Sequence, residues 1–238
     1  MANKIDNAII MAAGLGTRMR PLTNETPKPL VRVNGTRMIE SIIQALHKEQ
    51  IDDITIVTGY LADKFNFLSE KYDGVKLIHN PYFNKYNNIS SLYVARKELK
   101  ITIILDGDQL IYNPEILSSN FENSGYAGSW TENWSDEWIM HTDSNGNVIS
   151  CDRDGGEKGW RLYSVSKWTA TDSARLGEFV EKEFNNKNYD IYWDDVPMFL
   201  YADKFNLSVH KIDETDIVEI DSIKELSNID SSYKKYVE

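Results

Sequence analysis

The chain has 238 residues, of which 41% are apolar and 26% charged, with a formal net charge of −11. This composition is that of one globular domain with a full core, and the acidic balance argues against a nucleic-acid binder, whose affinity comes from basic patches. The single cysteine, Cys151, excludes an internal disulfide framework. Because no signal peptide is visible and no run approaches the roughly 20 apolar residues of a bilayer-spanning helix, we expect a cytoplasmic protein without membrane insertion.

In the first half of the chain, predicted strands alternate with predicted helices. The strands are expected at Ala8–Ala12, Ile54–Thr58, Val75–Ile78 and Ile101–Leu105. The helices, where apolar residues recur at helical spacing, are expected at Thr36–Gln50, Leu61–Tyr72 and near Ser91–Lys97. This alternation predicts a Rossmann-like, mainly parallel α/β sheet that binds ligands at the carboxyl ends of its strands.

The second half predicts antiparallel structure. Trp138–Thr142 and Val148–Cys151 flank Ser144-Asn145-Gly146-Asn147, a pattern typical of a hairpin. Further strands are expected at Leu162–Trp168 and Val209–Ile212, and helices at Ser173–Phe184 and Ser222–Ile229. No internal repeat or linker interrupts this pattern, so we predict a single domain over residues 1–238.

The first predicted strand runs into a loop with two glycines, a hydroxyl and two arginines, Gly14-Leu15-Gly16-Thr17-Arg18-Met19-Arg20, and Lys28 follows soon after. Glycine lets backbone N–H groups approach a ligand closely, and arginine supplies forked donors suited to phosphate. The loop lacks both the third glycine of the dinucleotide fingerprint and the Gly-Lys-Ser/Thr of a Walker A loop. We therefore expect a nucleoside triphosphate site of another kind, with a merely structural loop as the alternative.

Two carboxylates follow the fourth predicted strand, in Asp106-Gly107-Asp108. Such a pair at the end of a buried strand is costly unless it is paired or binds a cation, and Mg²⁺ often combines one or two carboxylates with substrate phosphates. A turn with solvated acids is the alternative. Asp221 is a further candidate ligand, although Ser222 and Glu225 also form a capping box that predicts a helix start at this point.

Two later stretches carry candidate substrate contacts. Tyr86-Asn87-Asn88-Ile89-Ser90-Ser91-Leu92 is dense in side-chain donors and acceptors, which can read the edge of a base or can simply form a polar loop. Several tryptophans precede the stretch Asp190-Ile191-Tyr192-Trp193-Asp194-Asp195. Aromatic faces beside carboxylates attract a cation, above all a quaternary ammonium, whereas the alternative for most of these rings is the core.

The stretch from Ala12 to Thr23, together with Pro27-Lys28-Pro29-Leu30, resembles the signature of nucleotidyltransferases for sugar phosphates and choline phosphate. The Asn-Asn…Ser-Leu, Tyr-Trp-Asp and Glu-Ile-Asp-Ser segments resemble those of the LicC-type phosphocholine cytidylyltransferases, so the resemblance covers nearly the whole chain. It implies the nucleotide-diphospho-sugar transferase type of fold. The implied division is a nucleotide-binding half at about 1–120, an antiparallel acceptor-binding insertion at about 120–200 and a closing segment at about 200–238.

The resemblance also implies roles for individual residues. Arg18 and Lys28 would be catalytic, by stabilising charge on the triphosphate. The nucleotide would be held by Ala12, Ala13, Gly14, Leu15, Gly16 and Thr17, and its base read by Asn88 and Ser90. Mg²⁺ would be bound by Asp108 and Asp221, with Asp106 as a further candidate. The acceptor would be held by Trp138, Asp190, Tyr192, Trp193 and Asp194.

The implied reaction transfers CMP from CTP to phosphocholine and gives CDP-choline and pyrophosphate. The acceptor phosphate is already anionic, so positioning and charge neutralisation suffice without a general base. A related branch activates 2-aminoethylphosphonate, and this chain departs from the choline pattern after Trp193 and in the loop before Trp160, so that acceptor is the alternative. A sugar-1-phosphate nucleotidyltransferase and a non-catalytic nucleotide sensor are further alternatives, and the oligomeric state stays open.

Overall fold

The computed structural model describes residues 2–237 and is built around one nine-stranded mixed sheet. The strands of three or more residues are β1 (Asn7–Ala12), β2 (Ile54–Thr58), β3 (Val75–His79), β4 (Thr102–Asp106), β5 (Gln109–Ile111), β6 (Gly125–Thr131), β7 (Ile139–Thr142), β8 (Val148–Asp152), β9 (Gly159–Trp168), β10 (Ser208–Lys211) and β11 (Ile217–Glu219). The α-helices are α1 (Met38–Lys48), α2 (Asn66–Lys71), α3 (Ile89–Ala95), α4 (Ala170–Asn185) and α5 (Ile223–Ile229).

The order across the sheet is β8-β7-β9-β4-β1-β2-β3, and β6 pairs with both β9 and β10. The strands β4, β1, β2 and β3 are parallel to one another. Every residue of β1 is buried, as expected for an apolar strand in the middle of a parallel sheet. The predicted Rossmann-like α/β architecture is confirmed, and the carboxyl ends of these strands lie along one edge.

The helix predicted at Thr36–Gln50 covers only Met38–Lys48, because Thr36–Arg37 pairs as a short strand with Arg32–Val33. Two further helix boundaries in the first half also differ from the prediction. Ala62–Phe65 is a 3-10 turn, so the α-helix predicted from Leu61 begins only at Asn66. Leu61 has a φ of 49°, in the left-handed region, which a helix interior excludes. The helix expected near Ser91–Lys97 instead covers Ile89–Ala95 and continues as a 3-10 turn over Arg96–Glu98.

The antiparallel half continues the same sheet. On one side of β9, its last four residues pair with β4 and residues 160–161 pair with β7. On the other side, β6 pairs along β9 from Gly159 to Lys167. Strand β6 was missed because its sequence, Gly-Tyr-Ala-Gly-Ser-Trp-Thr, is rich in small residues and lacks an apolar alternation. Within residues 2–237 no helix combines the length and the apolar character that crossing a bilayer would need.

Candidate active site

The glycine loop folds closely over Lys28. Gly16 has a φ of 60°, and a Cβ at this position would lie 3.0 Å from Cβ of Lys28 and 3.1 Å from Cγ2 of Thr23. The Thr23 hydroxyl donates a 2.7 Å hydrogen bond to the carbonyl oxygen of Gly16. Any larger residue at position 16 would therefore need both a strained backbone and a displaced lysine, which explains why the loop carries glycine there.

Lys28 lies at the centre of a carboxylate cluster. Its Nζ donates 2.6 Å hydrogen bonds to Oδ2 of Asp108 and to Oδ1 of Asp221. Glu219 completes the cluster, since one oxygen from each of the three acids lies within 4.8 Å of the others. The exposed Arg18 guanidinium donates to Oδ1 of Asp221 at 2.8 Å. Four residues predicted or implied as catalytic or metal-binding thus meet at one place, and Glu219, which was not predicted, joins them.

Pairing between distant segments brings these acids together. The N–H of Gly107 donates to the carbonyl of Met11 at 2.8 Å, which holds the turn after β4 against the end of β1. Strand β11 pairs with β5 so that Glu219 lies opposite Gln109. Ser222 then forms the predicted capping box with Glu225 and begins α5, so Asp221 lies between a strand and a helix start.

Burial and the neighbouring charges shift the pKa values of groups in this cluster. Burial by itself would lower the pKa of Lys28, but the carboxylates of Asp108 and Asp221 more than offset this and raise it. Burial, followed by the negative charges of Asp108 and Asp106, raises the pKa of Glu219 well above its usual range. Oδ1 of Asp108 is buried and has no hydrogen-bond partner among the described residues. This oxygen of Asp108, beside the carboxylates of Glu219 and Asp221, gives the cluster oxygen ligands that could take up a cation.

Two adjoining cavities open at this cluster and share Asn88, Asp106 and Asp108. A cavity of about 180 Å³ lies at the glycine loop and is lined by Met11, Ala12, Ala13, Gly14, Lys28, Pro29 and Ser91 besides the shared residues. A cavity of about 390 Å³ lies beyond it and is lined by Arg18, Asp136, Glu137, Trp138, Leu162, Ser164, Tyr192, Asp194, Glu219 and Asp221 besides the shared residues. The two cavities thus meet at the acidic cluster.

Asp106 lies where the two cavities join, outside the set of three close carboxylates. Burial, followed by the charges of Asp108 and Asp194, raises the pKa of Asp106 well above its usual range, and the Ser164 hydroxyl opposes that rise. Asp106 thus borders both cavities without belonging to the group of three close carboxylates, and its role as a further metal ligand stays a prediction.

Asn88 and Ser90, the two residues implied for base recognition, differ in whether they line the cavities. Asn88 lines both cavities, and its Oδ1 accepts the N–H of Trp193 at 2.9 Å. Ser90 is fully buried: its hydroxyl donates to the carbonyl of Asn87 and accepts from Nδ2 of Asn80. The neighbouring Ser91 lines the smaller cavity instead. The helical turn that begins α3 faces Ser91 toward the cavity and Ser90 into the interior, which the sequence pattern did not resolve.

The aromatic and acidic residues implied for the acceptor are likewise divided. Trp138, Tyr192 and Asp194 line the larger cavity. Trp193 is buried behind it in the core, with its ring stacked on Tyr126 at 6.2 Å between centroids. Asp190 is exposed outside the cavity, with its carbonyl accepting from the Asn87 side chain. Leu15, Gly16 and Thr17 also line neither cavity, and their contact with the nucleotide stays a prediction.

Burial raises the pKa of Asp194 to about 7, and the nearby Tyr126 hydroxyl partly offsets the rise. Oδ1 of Asp194 is buried and has no hydrogen-bond partner among the described residues. Asp136 and Glu137, at the same cavity, were not predicted because nothing in a lone Asp-Glu pair indicates a site. Glu219 did carry a signal: it stands two residues before Asp221, as Asp106 does before Asp108, so the two can share one face of an extended chain.

A glycine loop, a lysine and acidic side chains at the carboxyl ends of parallel strands form a site suited to moving a nucleotidyl group between phosphates. The chain belongs to the nucleotidyl transferase family, whose sequence profile matches residues 7–123. It is an enzyme of that family, as the resemblance predicted.

Several relatives that match this chain over most of its length are cytidylyltransferases. The 2-aminoethylphosphonate cytidylyltransferase of Lancefieldella rimae is 37% identical over 95% of this chain and 93% of its own length. The choline-phosphate cytidylyltransferase of Streptococcus pneumoniae is 33% identical over 95% of this chain and 98% of its own. The solved structure of the CTP:phosphocholine cytidylyltransferase LicC from S. pneumoniae aligns with a TM-score of 0.89, over 96% of this chain and 99% of that chain. These relatives share the fold and the nucleotide but differ in their acceptors.

Proposed function

We propose that this enzyme transfers CMP from CTP to a small phosphate or phosphonate that carries an ammonium group, and releases pyrophosphate. The supporting observation is the pair of cavities that meet at Asn88, Asp106 and Asp108. The smaller one lies at the glycine loop, which suits a triphosphate, and the larger one combines two aromatic rings with several carboxylates, which suits an organic cation. We propose a cytoplasmic location for the enzyme, because CTP is made in the cytoplasm.

In the proposed reaction, an anionic oxygen of the acceptor forms a bond to the α-phosphorus of CTP, and the bond from that phosphorus to pyrophosphate breaks. Lys28 and Arg18 stabilise the charge that accumulates on the departing pyrophosphate. Asn88 supports the choice of cytosine over uracil, because its Oδ1 is engaged by the N–H of Trp193 and its amide donor is left for N3 of the base, which is an acceptor in cytosine and carries a hydrogen in uracil.

We further propose that Asp108, Glu219 and Asp221 hold Mg²⁺. Their three oxygens lie within 4.8 Å of one another, and the buried Oδ1 of Asp108 has no partner among the described residues. Oxygen ligands of this kind suit Mg²⁺, which would supply charge neutralisation between two anionic substrates. Lys28, which joins Asp108 to Asp221, would then be free to turn toward the phosphates.

The proposal is tested by pyrophosphate release from each of CTP, UTP and ATP, with phosphocholine, 2-aminoethylphosphonate and glucose 1-phosphate as acceptors in separate reactions. Release is expected with CTP and a cationic acceptor, and not with glucose 1-phosphate, which carries no ammonium. Release with glucose 1-phosphate alone would assign the enzyme to the sugar-phosphate branch. No release with any pair would support the sensor alternative.

Replacing Trp138 by alanine should lower kcat/KM for the acceptor by at least about tenfold, because one aromatic wall of the acceptor cavity is lost. KM for CTP should change less than about twofold, since Trp138 lines the larger cavity only. Initial rates with one substrate varied at a time give both values. Trp134→Ala, at a largely exposed tryptophan outside that lining, is the matched control. Equal losses for CTP and acceptor would instead indicate a structural role.

Acceptor use should depend on pH through Asp194. With a pKa of about 7, the Asp194 carboxyl is mostly neutral at pH 6 and mostly charged at pH 8, and only the charged form attracts an ammonium. The acceptor kcat/KM of the wild type, divided by that of Asp194→Asn, should therefore rise by about fivefold or more between these pH values. Because the titration of the acceptor phosphate is common to both proteins, the ratio isolates Asp194. A ratio that stays flat would contradict the assignment.

A further inference from the structure

The aromatic corner of the acceptor cavity already holds a cation of the protein itself. Trp138 and Tyr192 meet edge to face, with ring centroids 6.1 Å apart and planes at 87°. Cζ of Arg153 lies 5.4 Å from the centroid of each ring. A guanidinium at this distance from two rings gains the electrostatic attraction that an ammonium ligand would otherwise take.

Asp195 holds this arrangement together. It is 3% exposed, and its Oδ2 accepts both the Arg153 guanidinium at 3.1 Å and the N–H of Tyr192 at 2.8 Å. One carboxylate oxygen of Asp195 thus positions both the Arg153 guanidinium and the backbone of Tyr192. Because a buried carboxylate without a counter-charge is strongly unfavourable, Asp195 retains Arg153 at the corner.

We propose that Arg153 determines the acceptor specificity of this enzyme, by disfavouring trimethylammonium acceptors and leaving primary ammonium acceptors to the carboxylates; this rests on the proposed cytidylyltransferase function. A trimethylammonium group has no N–H and depends on ring faces for its recognition. Arg153 lies over both rings, and its positive charge repels a second cation that approaches the same rings from the cavity.

A primary ammonium uses different contacts. It has three N–H donors, and the cavity offers Asp194, Asp136 and Glu137 as acceptors. Oδ1 of Asp194 is buried without a partner among the described residues, so a donor from the acceptor would satisfy it. These charge-assisted hydrogen bonds are available to a primary ammonium and denied to its trimethylated form.

The test compares phosphoethanolamine with phosphocholine, which differ only in methylation of the nitrogen. Wild-type enzyme with CTP is expected to favour phosphoethanolamine in kcat/KM. In Arg153→Ala, the ratio of phosphocholine to phosphoethanolamine should rise at least about tenfold, equivalent to about 1.4 kcal/mol. Arg175→Ala is the matched control, since Arg175 also lies over an aromatic ring, 5.7 Å from Phe205, and pairs with an aspartate, Asp172. Its ratio should equal that of the wild type.

Because Arg153→Ala leaves Asp195 without its counter-charge, the double substitution Arg153→Ala with Asp195→Asn is measured in parallel. The asparagine keeps an oxygen for the N–H of Tyr192 while removing both charges. A ratio within twofold of the wild type in both variants would overturn the proposal. An equal loss for both acceptors would also overturn it, since Arg153 would then bind the phosphate that they share.

Calorimetric titration with choline and with ethanolamine separates this proposal from the proposed function. If no acceptor releases pyrophosphate from CTP, the cytidylyltransferase function fails, but the role of Arg153 at the corner is still measurable. Choline should then bind the double variant at least about tenfold more tightly than the wild type, with little change for ethanolamine. Unchanged choline affinity would contradict the assignment of Arg153 whether or not the enzyme turns over.

Discussion

Asp108→Asn is expected to lower kcat by about a thousandfold or more, equivalent to roughly 4 kcal/mol of transition-state stabilisation. Among the residues that the structure describes, Asp108 is the one acid that contacts Lys28, belongs to the group of three close carboxylates and lines both cavities. Its loss would remove a Mg²⁺ ligand and displace the lysine from the point where the two substrates meet. The measurement is the steady-state rate of pyrophosphate release at saturating CTP and acceptor.

The fold should tolerate this substitution. Asparagine has the same shape as aspartate, and Lys28 keeps Asp221 as an ionic partner. The lost ion pair between Lys28 and Asp108 is offset by relief of the repulsion with Glu219 and Asp221, so the midpoint of thermal unfolding without divalent cations should stay close to that of the wild type. Asp203→Asn, at an exposed aspartate paired with Lys204, is the matched control and should keep wild-type activity. Activity of Asp108→Asn within tenfold of the wild type would remove Asp108 from the proposed metal site.

Lys28→Met is expected to lower kcat by about a hundredfold or more, because the ammonium that stabilises the departing pyrophosphate is lost. It should also strengthen the binding of Mn²⁺ or Mg²⁺ in the absence of nucleotide. Nζ of Lys28 now bridges Asp108 and Asp221, so a cation that binds these acids competes with the lysine. Calorimetric titration with MnCl₂ measures this second effect without reference to turnover.

The two effects of Lys28→Met have opposite signs, which a general loss of structure would not produce. Lys224→Met, at an exposed lysine on α5 close in sequence to Asp221, should change neither quantity and serves as the control. Weaker metal binding in Lys28→Met would show that the lysine supports the carboxylate cluster rather than competing for it. An unchanged kcat would exclude Lys28 from catalysis.

Local sequence was sufficient to predict those features of the fold that depend on a few neighbouring residues. Gly16 needs a positive φ and a missing Cβ, and a tight loop with glycine at that position is visible in the chain itself. The capping box of Ser222 and Glu225 spans four residues and forms as predicted. The buried apolar strands β1, β2 and β4 are continuous runs that only the interior of a parallel sheet accommodates, so the α/β class and the edge that carries the site followed from sequence.

The composition of the site was decided by tertiary structure. Glu219 reaches Asp108 only through the pairing of β11 with β5, two strands about a hundred residues apart, and no local pattern encodes that register. Ser90 and Ser91 differ only in which way one helical turn faces, and this depends on where α3 packs. The surrounding fold likewise determines that the ring of Tyr192 lines the larger cavity, whereas the ring of Trp193 lies in the core.

The acceptor site shows most clearly what could not be predicted from the sequence alone. The sequence by itself determined that aromatic and acidic side chains suited to a cation occur together, because those residue types are read directly from the chain. Only the folded protein places Arg153 at the corner of Trp138 and Tyr192 and ties it to the buried Asp195. These contacts join segments that are distant in the chain, and they form only when the sheet assembles. The placement of Arg153 over the two rings is therefore a property of the tertiary structure.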